Sequence, residues 1–303
     1  MKPYIDLNTY YRNLFGTKTA KIALDGGFTC PNRDGTLGYG GCLFCSAEGS
    51  GDFSAPATLP IAQQIQQGKQ QTAAKWENPK YIAYFQAYTN TYAPAAHLQK
   101  LYTEAISQPD VVGIAIATRP DCLENDVLDV LAQLQTKTKV WVELGFQTAN
   151  EASAHFIRRG YANAVFEKAV LSLHKRNLDV VAHVILGLPN ETHDDIYQTI
   201  AYLNHLPIQG IKLHLLHVLS DTALANIYQS GKYTPLTKEA YIDMVCGCIA
   251  RLRPDIVIHR LTGDGNAKTL LAPLWSLNKR DVLNTIHKEL RLRQIHQGDL
   301  YQK

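Results

Sequence analysis

The chain has 303 residues, 46% of them apolar, and carries 30 Lys and Arg against 27 Asp and Glu, a net charge of +3. That size and balance fit one large α/β domain or a barrel with an appendage, and they exclude a low-complexity chain. Six cysteines in a chain this long do not form the disulfide framework of a small secreted protein.

Residues 1–20 read as an irregular N-terminal arm with several aromatics. No apolar stretch of signal-peptide type is present there, and the longest apolar run, near residues 180–188, is too short to cross a bilayer. A cytoplasmic protein is therefore expected. Residues 21–24 form a short first strand leading into a loop that holds Cys30, Cys42 and Cys45. A polar, Gln-rich helix is expected over residues 59–76 and an aromatic-rich strand over 81–87. Pro94 opens a helix with Leu98, Leu101, Tyr102, Ala105 and Ile106 at amphipathic spacing. Residues 111–117 are a continuous apolar strand, and Val127, Leu128, Val130, Leu131 and Leu134 mark the next helix. The pattern repeats with a strand at 140–146, a helix from Val165 to Leu173, and a strand at 180–186. Thr192 and Asp195 then cap a helix, and a last strand runs over 211–218.

Six strands alternating with amphipathic helices predict a parallel sheet buried on both faces, with functional loops at its carboxyl edge. Beyond residue 220 the rhythm fades into an apolar stripe (Tyr241, Met244, Val245, Cys248, Ile249, Leu252), a short strand at 255–259 and a basic helix at 279–295. The expected organisation is an arm at 1–20, a barrel at 21–220 and a C-terminal extension at 221–303.

The cysteines stand at C-x11-C-x2-C, and five glycines from Gly35 to Gly49 let the backbone fold tightly around them. No fourth Cys or nearby His completes a tetrahedral site. Three thiolates suit a [4Fe–4S] cluster that keeps one iron open for an exchangeable ligand. A structural zinc and ordinary buried thiols are the alternatives. Glu143, inside an apolar strand, is expensive unless paired or facing a polar cavity. Lys212 and His214 share one face of the sixth strand. Cys122, Cys246 and Cys248 read as inert thiols.

With Phe44 before its last cysteine, this loop resembles the cluster loop of radical S-adenosylmethionine (SAM) enzymes. Its long first gap departs from the usual C-x3-C-x2-C and resembles the branch that includes the Elongator catalytic subunit. The ordered segments PNRDGTLGYGGC, QAYTNTYAP, ATRPDC, LGFQTAN, RRGY, ILGLP, LLHVL and APLWSLNK are similar to the YhcC/YtqA group of that branch. The resemblance implies an α/β fold, a partial (β/α)6 TIM-like barrel with a small C-terminal α/β extension. It implies a [4Fe–4S] cluster on Cys30, Cys42 and Cys45, and SAM bound nearby. Phe44 belongs to that site, and Gln86, Thr89 and Asn90 fall where relatives hold the methionine part of SAM. Gln147, on the face of Glu143, falls on the ribose, and Arg159 on the methionine carboxylate, with Arg158 as the neighbouring alternative. His183 stands where some relatives carry an acidic ribose ligand, and Gly187 and Leu188 where backbone approaches adenine. Lys212 and His214 look toward substrate, or are satisfied in the core.

The implied activity is reductive cleavage of SAM to a 5′-deoxyadenosyl radical, fed by flavodoxin or ferredoxin. The implied substrate is tRNA, with 5-carboxymethylaminomethyl converted to 5-aminomethyl at the wobble uridine; neither DNA nor a membrane is an expected partner. Basic residues at both ends of the chain (1–33 and from 279 on) read as solvated helix faces or as a track for a phosphate backbone. A small-molecule substrate and a non-catalytic RNA-binding scaffold are the competing readings.

Overall fold

The computed structural model describes residues 2–49, 54–73 and 75–302. The chain opens with a helix, α1 (Leu7–Phe15), where an irregular arm was expected. The Asp6 carboxylate accepts from the backbone N–H of Asn8 and Thr9 at 3.2 and 3.3 Å and so caps it, and Gly16 ends it at φ 72°. There follow β1 (Thr19–Leu24), α2 (Ile61–Ala73), β2 (Lys80–Phe85), α3 (Ala95–Ile106), β3 (Val111–Thr118) and α4 (Asn125–Gln135). The next elements are β4 (Lys139–Gln147), α5 (Glu151–Phe156), α6 (Asn163–His174), β5 (Asp179–Leu186), α7 (His193–Asn204) and β6 (Gly210–Leu215). The chain closes with β7 (Val218–Leu219), α8 (Ala223–Gln229), α9 (Lys238–Arg251), β8 (Val257–Arg260), β9 (Leu270–Ala272), a 3₁₀ turn (Leu274–Leu277) and α10 (Lys279–Leu292).

Seven strands, ordered β1-β2-β3-β4-β5-β6-β8 and all parallel, curl into a half-barrel with helices outside. Six strands were expected. The seventh, β8, comes from the stretch read as the C-terminal extension and pairs with β6 through Gly210–Val257 and Ile211–Ile258. The expected sixth strand is shorter than predicted: β6 stops at Leu215, and Val218–Leu219 turns away to pair antiparallel with β9. Strand β8 is bridged in turn by Asp6, which staples the start of the chain to the far edge of the sheet.

Outward-facing apolar residues of each strand meet the helices in one continuous core. It includes Leu98 and Tyr102 of α3, Leu131 of α4, Ile196 of α7, Tyr241 of α9 and Ile286 of α10. Each such buried side chain contributes about 1.5–3 kcal/mol relative to exposure. The predicted capping box forms, with Asp195 N–H donating to Thr192 Oγ1 and Thr192 N–H to Asp195. Inside the sheet, α1 closes the amino end of the half-barrel. Tyr11 packs edge-on against Trp141 of β4 at 5.3 Å between ring centroids, with Phe15 beside it.

Candidate active site

The loops that carry the chemistry-bearing residues all leave the carboxyl ends of the strands. The cysteine loop follows β1, residues 88–91 follow β2, Arg119–Cys122 follows β3, residues 148–161 follow β4 and Gly187 follows β5. Cys45 N–H donates to Cys42 O at 3.1 Å, and Arg33 N–H to Cys30 O at 2.7 Å, so both ends of the thiol set are folded by the backbone. Burial pushes the Cys42 thiol up to about 12, the nearby Cys45 and Cys30 add to this, and the Arg119 guanidinium and the Asn32 amide oppose it. The three sulfurs therefore feel one another. Among the described residues no three His, Cys, Asp or Glu side chains converge on one ion-sized point. A lone zinc gathers all its sulfurs at about 2.3 Å from one centre, whereas a cubane takes each thiolate on a different iron and spreads them. Three cysteine thiols in one loop are a donor set that a cubane can take, one thiolate to each of three irons.

The loop is locked to the turn after α5. Leu43 N–H donates to Ile157 O at 3.0 Å, and the Asn32 side-chain amide donates to Arg158 O at 2.9 Å, to Arg159 O at 3.3 Å and toward Cys42 Sγ at 3.6 Å. Arg119 holds the same turn from below, donating to Arg159 O at 3.1 Å while Asp121 grips its guanidinium at 2.6 and 2.9 Å. Arg119 and Arg159 lie over Tyr161, each 4.9 Å from the ring centroid. On the other side Leu43 packs with Ile157, Leu188, Leu216, Leu224 and Tyr233 in a second apolar cluster, with Phe44 half-buried against it.

Arg159 does not have the freedom expected of a ligand contact. It is 1% exposed, and its guanidinium donates to Phe146 O, Thr148 O, Tyr161 O, Asn163 Oδ1 and Glu151, so its N–H groups are spent on the fold. Its neighbour Arg158, at φ 57°, is exposed and lines a groove of about 500 Å³ with Asn32, Gly41 and Gly160. Of the two adjacent arginines, Arg158 is the one whose side chain is exposed. Gln147 sits at a register break between β4 and β5 with φ 70°, a bulge that re-aims its side chain at the strand's end. Thr89 and Asn90 are buried. Thr89 N–H donates to Thr29 O at 3.2 Å, which ties the β2 loop to the cysteine loop. The Asn90 amide donates to Ala117 O at 2.8 Å, and its Oδ1 has no partner among the described residues. Gln86 is half-buried at the end of β2. Gly187 has φ 85°, a backbone that strains an L side chain, and a Cβ there would lie 2.9 Å from Leu236 Cδ1. Its carbonyl accepts from Tyr233 at 2.7 Å, and Leu188 is buried.

Below this rim lies a charged ring. Glu143 of β4 is wholly buried and accepts from Lys21 of β1 at 2.5 Å, from Lys212 of β6, and from His183 Nε2 at 2.9 Å. Lys212 also donates to Tyr84 of β2 at 2.9 Å and lies over its ring. Burial alone would raise the Glu143 pKa, but the two lysines outweigh it and hold the carboxyl well below its usual range. Burial pushes His183 down to about 4 and His214 well below its usual value, so both imidazoles are neutral near pH 7. Lys21, Tyr84 and Asn32 were not expected as partners; for Lys21 the available signal was a lysine on the inward parity of a strand. Cys122, Cys246 and Cys248 are buried, with thiols pushed up by burial, as expected of inert positions.

The radical SAM superfamily description matches residues 30–203, and the radical SAM C-terminal domain description residues 208–291. This chain belongs to the radical SAM superfamily. The radical SAM protein is 45% identical to YtqA of Bacillus subtilis, over 100% of its own length and 94% of that protein. It is 38% identical to YhcC of Escherichia coli K12, over 88% of its length and 85% of that protein. Identity to Elongator complex protein 3 of Schizosaccharomyces pombe is 28%, over 65% of this chain but only 38% of that longer protein. In structure it resembles the archaeal Elp3 of Methanocaldococcus infernus with a TM-score of 0.70 at 15% identity, covering 92% of this chain and 64% of that one. Membership implies a [4Fe–4S] cluster and SAM. The three thiols of this radical SAM protein, an Asn90 Oδ1 with no partner among the described residues and the exposed Arg158 fit that pair.

Proposed function

We propose that this radical SAM enzyme modifies tRNA, converting 5-carboxymethylaminomethyl to 5-aminomethyl at the wobble uridine. The observation that carries the reading is a three-thiol loop at the carboxyl end of β1 in a half-barrel whose interior holds the basic residues Lys21 and Lys212 around Glu143. When bound, the cluster and SAM supply a 5′-deoxyadenosyl radical after one-electron reduction from a flavodoxin or ferredoxin. Cys30, Cys42 and Cys45 hold the cluster, and Arg158, Asn90 and Gln147 lie where SAM is held. The loop's bonds to the 157–160 turn keep the site shaped and dry. In the overall change the carbon between nitrogen and carboxylate is oxidised by two electrons, with SAM as the oxidant and 5′-deoxyadenosine carrying the hydrogen; water then cleaves the carbon–nitrogen bond, so that glyoxylate leaves and the amine remains.

The RNA part is supported by relatedness to Elongator complex protein 3 and by the surface. Tyr4 bonds His287 of α10 at 2.9 Å, and Gln297 N–H donates to Pro3 O, which brings the two basic ends of the chain together. Helix α10 starts beside the carboxyl edge, where Lys279 pairs with Asp264, and leads exposed Arg280, Lys288 and Arg291 down the barrel's flank. Such a strip suits a phosphate backbone. Deleting the gene should leave the carboxymethylaminomethyl nucleoside accumulated in digested total tRNA, and re-expression of the chain with Cys42→Ala should fail to clear it. An unchanged nucleoside profile removes the proposal.

A further inference from the structure

The charged ring gathers three basic side chains around its carboxylates, and burial, with Lys21 and Arg260 nearby, lowers Lys212 to about 7 against the pull of Glu143. Lys21, Lys212 and Arg260 face the interior, and Arg260 stands opposite Lys212 in the β6–β8 register. Against them stand Glu143 and Asp264; Asp264 pairs with Arg260 at 3.3 Å and is shared with Lys279 outside. Buried cations are costly, and a further anion relieves that cost. The adjacent histidines are neutral, so they do not add charge, and His214 Nε2 has no partner among the described residues. Helix α1 and Trp141 close the amino end of the half-barrel. Lys21 keeps 17% of its side chain exposed and His183 18%, while Lys212 and Glu143 are buried. The ring is basic, open to solvent at Lys21 and His183, and fixed by β-strands rather than loops.

We propose that this ring is the recognition site for a carboxylate on the substrate, with Lys212 as its principal contact and Glu143 the internal anion that holds both lysines in place. The ligand class is an N-carboxymethyl, glycine-like arm presented beside the carbon that reacts. The inference rests on the tRNA reading for its full substrate but not for its chemistry. A neutral isostere of the carboxylate leaves the lysines unanswered, and the site discriminates against it for that reason.

The test uses the reconstituted holoenzyme with SAM and two anticodon stem-loop RNAs, one bearing 5-carboxymethylaminomethyluridine and one bearing its primary amide. Equilibrium binding should favour the acid at least ten-fold, and Lys212→Met should bring the two within two-fold of each other while Lys212→Arg keeps a preference. A general loss of fold in Lys212→Met would weaken both RNAs alike, and circular dichroism identifies it; the wild-type acid-to-amide ratio then decides alone. Equal binding of acid and amide by the wild type overturns the inference, even if the acid is still converted. If neither RNA binds, the tRNA reading fails and free N-methylglycine is compared with N-methylglycinamide. Stimulation of 5′-deoxyadenosine release by the acid alone supports the ring's assignment, and equal stimulation or none overturns it.

Discussion

Gly160→Ala puts the coupling between the cysteine loop and the barrel to a direct test. Gly160 has φ 84°, and a Cβ there would lie 2.8 Å from Asn32 Oδ1 and 3.3 Å from Arg119 Nη2. The left-handed backbone alone costs an L-residue about 1 kcal/mol. Relieving the clash also moves Asn32, whose amide bonds to the Arg158 and Arg159 carbonyls are worth about 1 kcal/mol each. The sum is about 3 kcal/mol, two-thirds of it falling on the loop that holds Cys30 and Cys42. Gly231→Ala is the control: φ is 72° there, but nothing lies within 4 Å of the added carbon, so only the backbone cost of about 1 kcal/mol applies. Both variants should lose thermal stability, Gly160→Ala more, by several degrees. Only Gly160→Ala should lose iron, measured per chain after anaerobic reconstitution. Full iron content in Gly160→Ala, or equal iron loss in both variants, refutes the claim that Asn32 clamps the cluster loop to that turn.

Three further outcomes follow from the barrel interior. The Tyr11 hydroxyl is buried without a partner among the described residues, so Tyr11→Phe should be neutral or slightly stabilising in urea unfolding. Tyr11→Ala, which empties the space under Trp141, should cost about 3–5 kcal/mol. Glu143→Gln leaves Lys21 and Lys212 without their shared carboxylate and should destabilise by about 3–5 kcal/mol. Adding Lys21→Met to it should recover part of that loss in the same assay, which an effect of side-chain shape alone would not do. Burial holds His217 at about 4 in the folded chain, against 6.5 as its ordinary value. Between those limits the unfolded state binds the extra proton, so stability falls as pH drops from 6.5 toward 4, by up to about 1.4 kcal/mol per pH unit. His217→Gln should flatten that slope; an unaltered slope would show that the imidazole is not held neutral.

The strands were legible because a parallel sheet covered on both faces needs unbroken apolar runs, and 111–117, 140–146 and 180–186 supply them. The helix entered at Thr192 was legible because a capping box is a local, two-residue device. The helix at Leu7–Phe15 was legible in principle through Asp6 and Gly16, but its apolar face made no sense until Trp141 stood over it. The site divided in the same way. Cys30, Cys42 and Cys45 could be singled out by chemistry and spacing, since three thiols in a glycine-rich loop have few uses.

Arg159 and Arg158, by contrast, are adjacent and chemically identical, and only the folded turn shows which one is spent on Phe146, Thr148 and Tyr161 carbonyls and which is exposed. Likewise Lys21, Tyr84, Glu143, Lys212 and Arg260 come from five different strands. Sequence determines the type of each strand and the side on which a residue falls, because those depend on neighbours one or two positions away. Which charges then meet across the barrel depends on strand order, register and curl. These are decided by burial over the whole chain, so the ring became visible only in three dimensions.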